Sequence, residues 1–439
     1  MKRFSSSSFA GPNADALTWS TSSANPQALF SDFQWFLYQG RDTVFFSAFS
    51  TRTYTFDDLS NMLAEMVALA PQLTHGFVGA QPGQPFPKHL LDAIISLEEV
   101  DDLALYPDKW LGKSSDIFER KDLPLFRVMA AVRRNGPDAA GRAAVLQVRS
   151  SHALLEGSDS ALLTRSQIAA HGTQSNKQHK LPWRDRLAGG LKGGLSALLY
   201  IAIANLFAPR EKPWGFQTLA VERHRLRLLA NKLGVRQRSL MFALVTHALN
   251  GREPKKHLAG KTIAAAYTML DTRRNSADDD FFRVRALEAR FAVIEDFVDY
   301  VRMVDDTVAN IEQKDITSFQ VMMNAMFKAL RGINRALPFL PGPRFWRFNG
   351  GVQIVLTLVP PHRTYGPMTH GLIEPIYCGA WHAAANICTF CPGRSHVTFN
   401  FSMEQRHLAQ IGRVMELIEE TERRTVSPRT MLPSVERLT

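Results

Sequence analysis

DLPLFRVMAAVRRNGPDAAGRAAVLQVRSSHALLEGSDSALL, residues Asp122–Leu163, is the stretch on which the fold reading turns. Leu125–Val132 reads as a strand. Gly136-Pro137-Asp138 supplies the residue types of a tight turn, and Ala143–Arg149 reads as a second strand. This hairpin delivers the chain directly into Ser151-His152-Ala153-Leu154-Leu155-Glu156-Gly157. The spacing His152-x-x-x-Glu156-Gly157 therefore falls at a strand end, with Gly157 permitting a sharp turn. A helix is expected just beyond, near Asp159.

Working outward, helical spacing of Leu59, Met62, Leu63, Met66 and Val67 predicts a helix over Thr55–Leu69, with Asp57 and Asp58 suited to its N-terminal dipole. Further helices are predicted at Val221–Leu233, Ser239–Leu249, Glu295–Ile311, Ser318–Ala336 and Met403–Thr421. Strands are predicted at Ile263–Leu270, Phe282–Phe291, Val352–Val359, Leu372–Ala380, Asn386–Phe390 and His396–Phe401. The chain of 439 residues is long for one core, so two lobes are expected. The boundaries read as a loose tail over 1–30, an N-terminal lobe over 31–175 carrying the histidine motif, a basic and apolar inter-lobe connection over 176–213, and a C-terminal lobe over 214–439. Within the connection, Gly193–Pro209 lacks any charge and is read as a buried crossover, with contact to a membrane surface as the second option.

The segment Asp122–Leu163 resembles the first lobe of the bacterial wax ester synthase/diacylglycerol acyltransferase family. It is more distantly similar to plant acyltransferases and to condensation domains of peptide synthetases. These share a chloramphenicol-acetyltransferase-like fold and an H-H-x-x-x-D-G motif. Ala264–Arg274 looks like the family's second-lobe strand ending in Arg; Pro375–Ala380 and Phe390–Arg394 look like its C-terminal strands. Here Ser151 stands in place of the first His and Glu156 in place of Asp. The family's second-lobe Asn-Asp pair corresponds to Arg238-Ser239, and its Asn-Val-x-Gly-Pro segment is not recognisable around Val359-Pro360-Pro361. The resemblance implies an α/β protein of two similar lobes, each a mixed β-sheet with flanking helices, and an active-site tunnel between them.

The implied reaction moves an acyl group from acyl-CoA to a hydroxyl of a lipid-like alcohol, with no permanently bound cofactor. Imidazole, with an ordinary pKa of about 6.5, can take a proton from the attacking hydroxyl and return it to the leaving thiolate. His152 is the expected general base. In the family the motif's acid faces away from substrate and pairs with an arginine. By that resemblance Glu156, on the turn closed by Gly157, would pair with Arg273, or with Arg274 failing that. The enzymatic alternative is condensation-like transfer from an acyl carrier protein to an amine or alcohol. A protein that binds acyl chains or a carrier without turnover is the non-enzymatic one.

Hydrophobic residues make up 45% of the chain and charged residues 21%, the balance of a folded globular protein. The net charge is +11, and it is unevenly spread: Lys177–Thr262 holds 17 Lys plus Arg against 4 Asp plus Glu, so the rest sums to about −2. Such a belt suits the phosphates of a donor, an acidic carrier or an anionic membrane. It has neither a nucleic-acid-binding motif nor regularly interleaved aromatic residues, so no nucleic-acid partner is expected. Three cysteines, Cys378, Cys388 and Cys391, in so long a chain argue against a disulfide framework. Together with His382 and His396 they lack the spacing of a zinc module, so no metal is expected. Lys2 and Arg3 are followed by serines rather than an apolar run. The expectation is a cytoplasmic protein, with peripheral attachment at the inner membrane surface as an option.

Overall fold

The computed structural model describes residues 32–69, 73, 86, 88–103, 116–118, 123–154, 182–206, 214–249, 262–270, 284–312, 318–337, 354–358, 372–381, 386–393 and 395–426. Its first part runs α1 (Asp32–Gln39), β1 (Thr43–Ser50), α2 (Phe56–Leu69), α3 (Lys88–Ile94), β2 (Ile95–Val100), β3 (Phe126–Arg133), β4 (Ala144–Ser151) and α4 (Trp183–Leu206). Then come β5 (Trp214–Glu222), α5 (Arg223–Leu233), α6 (Gln237–Leu249), β6 (Thr262–Leu270), β7 (Val284–Ala292), α7 (Phe297–Glu312) and α8 (Ser318–Ala336). The chain continues through β8 (Ile354–Leu358), β9 (Leu372–Trp381), β10 (Ile387–Pro392), β11 (His396–Glu404), α9 (Gln405–Leu408) and α10 (Gly412–Val426).

Two mixed sheets result, as the resemblance implies. The first has the order β2-β3-β4-β1-β9 and the second β5-β11-β10-β8-β6-β7. The decisive hairpin forms between β3 and β4, antiparallel from Phe126↔Ser150 to Val132↔Ala144. Its turn is built by Asp138, whose carboxylate accepts the N–H groups of Ala140 and Arg142 at 2.9 Å each. Gly136 and Gly141 take φ of 75° and 74°, a backbone region that side chains disfavour. The first sheet is completed from far along the chain, because β9 pairs antiparallel with β1 from Thr43↔Trp381 onward.

Each sheet covers an apolar core on one face. Phe46, Ala48, Leu146 and Val148 pack with α2 residues Leu59, Met62, Leu63 and Met66. In the second sheet Phe390, Phe399 and Phe401 pack with α6 and α7 residues such as Phe242, Leu244, Tyr300 and Val304. Helix α2 begins in a reciprocal cap: the Asp58 carboxylate accepts the Thr55 N–H at 2.8 Å, and the Thr55 hydroxyl accepts the Asp58 N–H at 3.1 Å.

The structure corrects the sequence reading at several places. Val221–Glu222 belong to β5, so the helix starts only at Arg223. Likewise β11 runs to Glu404, and the last long helix starts at Gly412 rather than Met403. Within the uncharged run beginning at Gly193, the part described belongs to α4 and is buried on one side only: Gly193 and Ala197 are buried, whereas Leu195, Leu198 and Leu199 are exposed. The helix expected near Asp159 lies outside the described residues.

Candidate active site

The opposite faces of the two sheets meet, and they are polar. On β1 and β4, paired residues share a face, so Ser47 with Gln147, Phe45 with Arg149 and Thr43 with Ser151 all lie on the side away from the α2 core. All six are buried. On the second sheet the matching face carries Thr389, Thr398, Asn400 and Ser402, also buried. The Phe45 and Phe216 rings join the two faces edge-on, 6.1 Å between centroids.

Burying this much polarity requires partners. Gln147 donates to the Ser47 hydroxyl at 2.8 Å and accepts from the Arg149 guanidinium at 3.3 Å. The same guanidinium lies 5.6 Å from the centre of the Phe45 ring. Across the way, Trp214 Nε1 donates to Ser402 at 3.0 Å, Thr218 donates to the Asn400 side-chain oxygen at 3.2 Å, and Asn400 Nδ2 donates to the Thr389 carbonyl at 3.3 Å.

His152 sits at the edge of this polar layer, one residue past β4. Its loop is fixed from three directions. The Ser151 N–H donates to the Leu125 carbonyl at 2.9 Å, and the His152 N–H to the Asp42 carbonyl at 2.8 Å. Gln34 of α1 donates through its side-chain amide to the Ala153 carbonyl at 3.0 Å. The Ser151 hydroxyl accepts the Ala153 N–H at 3.2 Å, so Ser151 acts as a local turn-former. Ser151, Ala153 and Leu154 are buried, while His152 is partly exposed. The surrounding protein still strips enough water from the ring to pull its pKa from 6.5 to about 4. At neutral pH the imidazole is unprotonated, the form that accepts a proton.

Asp42 was not singled out in the sequence. It follows Gly40 and Arg41, where the chain leaves α1 in a turn with Arg41 at φ 56°. Its side chain is fully buried, and burial raises its pKa well above the ordinary carboxylate range. A left-handed residue other than glycine beside a buried acid is the kind of strained local feature that clusters at working sites. Gln147, Arg149 and Ser47 were likewise missed, because each looks like an ordinary strand residue until its cross-strand partner is known.

Glu156, Gly157, Arg273 and Arg274 lie outside the described residues, as do Val359-Pro360-Pro361 and His382. At Arg238-Ser239 an ion-pair network links α6 to α7. Arg238 pairs with Glu312, and Arg236 meets Asp305 at 2.7 Å and Glu312 at 3.1 Å. Cys388 packs in the second core and Cys391 in the first, so the two thiols point to opposite faces of β10. Among the described residues no group of three or more His, Cys, Asp or Glu side chains is arranged to hold a metal ion.

Within the basic belt, Arg225 is tied to Glu422 by two hydrogen bonds of 2.6 Å. Arg223 and Arg227, one turn apart on α5, instead line a surface cleft of about 510 Å³ with Glu222, His224, Ser395 and His396.

No protein-family model matches this sequence, and no curated protein does. Solved structures match over nearly the whole chain. The wax ester synthase/diacylglycerol acyltransferase from Marinobacter aquaeolei VT8 aligns with 88% of this chain and 95% of its own, at a TM-score of 0.50 and 15% identity. The trichothecene 15-O-acetyltransferase from Fusarium sporotrichioides aligns over 89% and 95%, at 0.55 and 10%. The condensation domain of the Monacolin K polyketide synthase aligns over 92% and 97%, at 0.52 and 11%. The chain therefore has the two-lobed, mixed-sheet fold of these acyltransferases and condensation domains, as the resemblance of Asp122–Leu163 implies.

Proposed function

We propose that this chain is an acyltransferase moving an acyl group from acyl-CoA to the hydroxyl of a lipid-like alcohol, with His152 as general base. The observation that carries the reading is the setting of His152. It is an imidazole kept neutral by partial loss of its water shell, on a loop fixed from three sides, at the edge of a polar layer between two sheets.

The hydroxyl oxygen would attack the thioester carbonyl carbon while His152 takes the hydroxyl proton. The carbonyl electrons move onto oxygen, giving a tetrahedral oxyanion. When that intermediate collapses the carbon–sulfur bond breaks, and the imidazolium returns its proton to the leaving thiolate. The products are the ester and free CoA thiol, and no covalent enzyme intermediate is needed. Glu156 and Arg273 would hold the loop from behind as an ion pair, and the two substrates would meet in a tunnel between the lobes. The cleft at Arg223 and Arg227 would attract the phosphates of the donor.

The likeness to a condensation domain supports a second donor form, an acyl group on the arm of an acidic carrier protein facing the same basic belt. The deciding experiment incubates the protein with a panel of acyl-CoAs and acyl-carrier proteins, each with long-chain alcohols and amines, and follows thiol release and product mass. No product with any pair would sink the acyltransferase reading in favour of a binding protein. Product only from the carrier arm would move the donor from CoA to carrier.

A further inference from the structure

Helix α4 is built the opposite way from an ordinary surface helix. Its small residues face inward: Gly189, Gly193 and Ala197, at successive i, i+4 positions, are buried. The approach to α8 is close, since a Cβ on Gly193 would stand 2.5 Å from the Met322 carbonyl oxygen and 2.7 Å from Ala325 Cβ. Its large apolar residues face outward. Trp183, Leu187, Leu191, Leu195, Leu198 and Leu199 are between 50% and 69% exposed. At 100° per residue, all six fall within one half of the helix circumference, across from the glycines. Among the described residues nothing covers them, and scattered single leucines would not form such a stripe.

We propose that this face of α4 is a docking surface for an anionic lipid bilayer, on which the helix lies flat. Charge decides the occupant. Arg184, Arg186 and Lys192 are exposed on the same helix, against a single acid, Asp185. Lys177 and Lys180 precede it in sequence, and Arg210 and Lys212 follow it around one further acid, Glu211. A second copy of the chain docked here would bring this basic run against itself, whereas anionic headgroups neutralise it. The Arg184 guanidinium lies 5.7 Å from the centre of the Trp183 ring, an amphipathic pair suited to headgroup depth. No helix of the described residues is long and apolar enough to cross a membrane, which fits a helix lying on the surface. The inference stands apart from the acyl-transfer reading and needs no turnover for its test.

The test floats the full chain with phosphatidylcholine vesicles, with and without phosphatidylglycerol. The wild type should bind the anionic vesicles, and added salt should weaken that binding. The triple variant Leu187→Ser/Leu191→Ser/Leu195→Ser should lose about tenfold or more in affinity. Arg184→Glu/Arg186→Glu/Lys192→Glu should lose its preference for the anionic vesicles. Both should keep the wild-type circular dichroism and melting temperature, since the altered side chains are exposed. The proposal fails if the wild type does not float, or if the leucine variant floats as well as the wild type. Equal wild-type binding to both vesicle types overturns it too. It also fails if light scattering finds a wild-type dimer that the leucine variant breaks, with no vesicle binding by either.

Discussion

The main-chain N–H of His152 donates to the carbonyl of Asp42 at 2.8 Å, which couples the end of β4 to the turn that opens β1. The loop is thus held by backbone bonds that do not involve the imidazole. His152→Ala should keep its fold, judged by circular dichroism and melting temperature, while acyl transfer falls by ~10²–10⁴-fold. Transfer at the wild-type rate would remove His152 from the mechanism.

The two titratable groups of this turn, Asp42 buried and His152 partly exposed, give opposite pH signatures. His152 has a folded pKa of about 4, below its unfolded value. It is neutral in both states above about pH 6.5, and as pH falls from there the unfolded chain takes the proton first, so stability drops. Asp42 has a raised folded pKa, so its burial is unfavourable at pH 7 and that penalty fades as pH falls toward about 4. Melting curves from pH 4 to 7 should therefore find His152→Gln less acid-sensitive than wild type. Asp42→Asn should melt higher than wild type at pH 7 and lose that advantage at pH 4.

Glu156→Gln tests the proposed ion pair with Arg273. Removing one member of a buried pair typically costs ~3–5 kcal/mol. Melting temperature and transfer rate should therefore fall together, and Glu156→Asp should recover part of both. A Gln variant as stable and active as wild type would refute the pairing with Arg273.

Arginines of one helix should separate into two behaviours. Arg223→Glu/Arg227→Glu should weaken donor binding most at low salt, where long-range attraction is least screened, and should lower the melting temperature only by the loss of the Arg223 hydrogen bond to the Gly393 carbonyl. Arg225→Glu should instead lower the melting temperature, since it sets two carboxylates together in place of the bidentate pair with Glu422. Equal donor affinity in the first variant and the wild type at low salt would leave the cleft without a role.

Gly193 sets the distance between α4 and α8. Gly193→Leu must push the helices apart against the Met322 backbone, and overpacking of this kind destabilises by ~1–3 kcal/mol. Thermal unfolding checks this. An unchanged melting temperature would mean that the helix pair is not held as described.

Much of the fold was legible because the signals were local. The β3–β4 hairpin carries its own turn chemistry in Gly136 and Asp138, and α8 was bounded by its periodicity alone. Strand β1, TVFFSAFS, was missed because both of its faces are buried and alternation is lost. The placement of His152 directly after β4 was legible for the same local reason as the hairpin that precedes it. The polar layer beside it was not, because pairs such as Thr218 with Asn400 or Ser47 with Gln147 meet only after the sheets form. Helix α4 misled through composition: an uncharged run suggests burial, and only the placement of its glycines tells which side faces in.

The pairing of β1 with β9 has a consequence for how the chain is made. More than three hundred residues separate Ser50 from Leu372, so during synthesis β1 stays an open sheet edge until late. At about 5–20 residues per second that interval lasts on the order of tens of seconds. Phe45 and Arg149 are meanwhile denied the second sheet that buries them, and an unpaired strand edge is a template for unwanted association. Splitting the chain ahead of residue 372 would leave the histidine-bearing half without the strand that closes its sheet at β1.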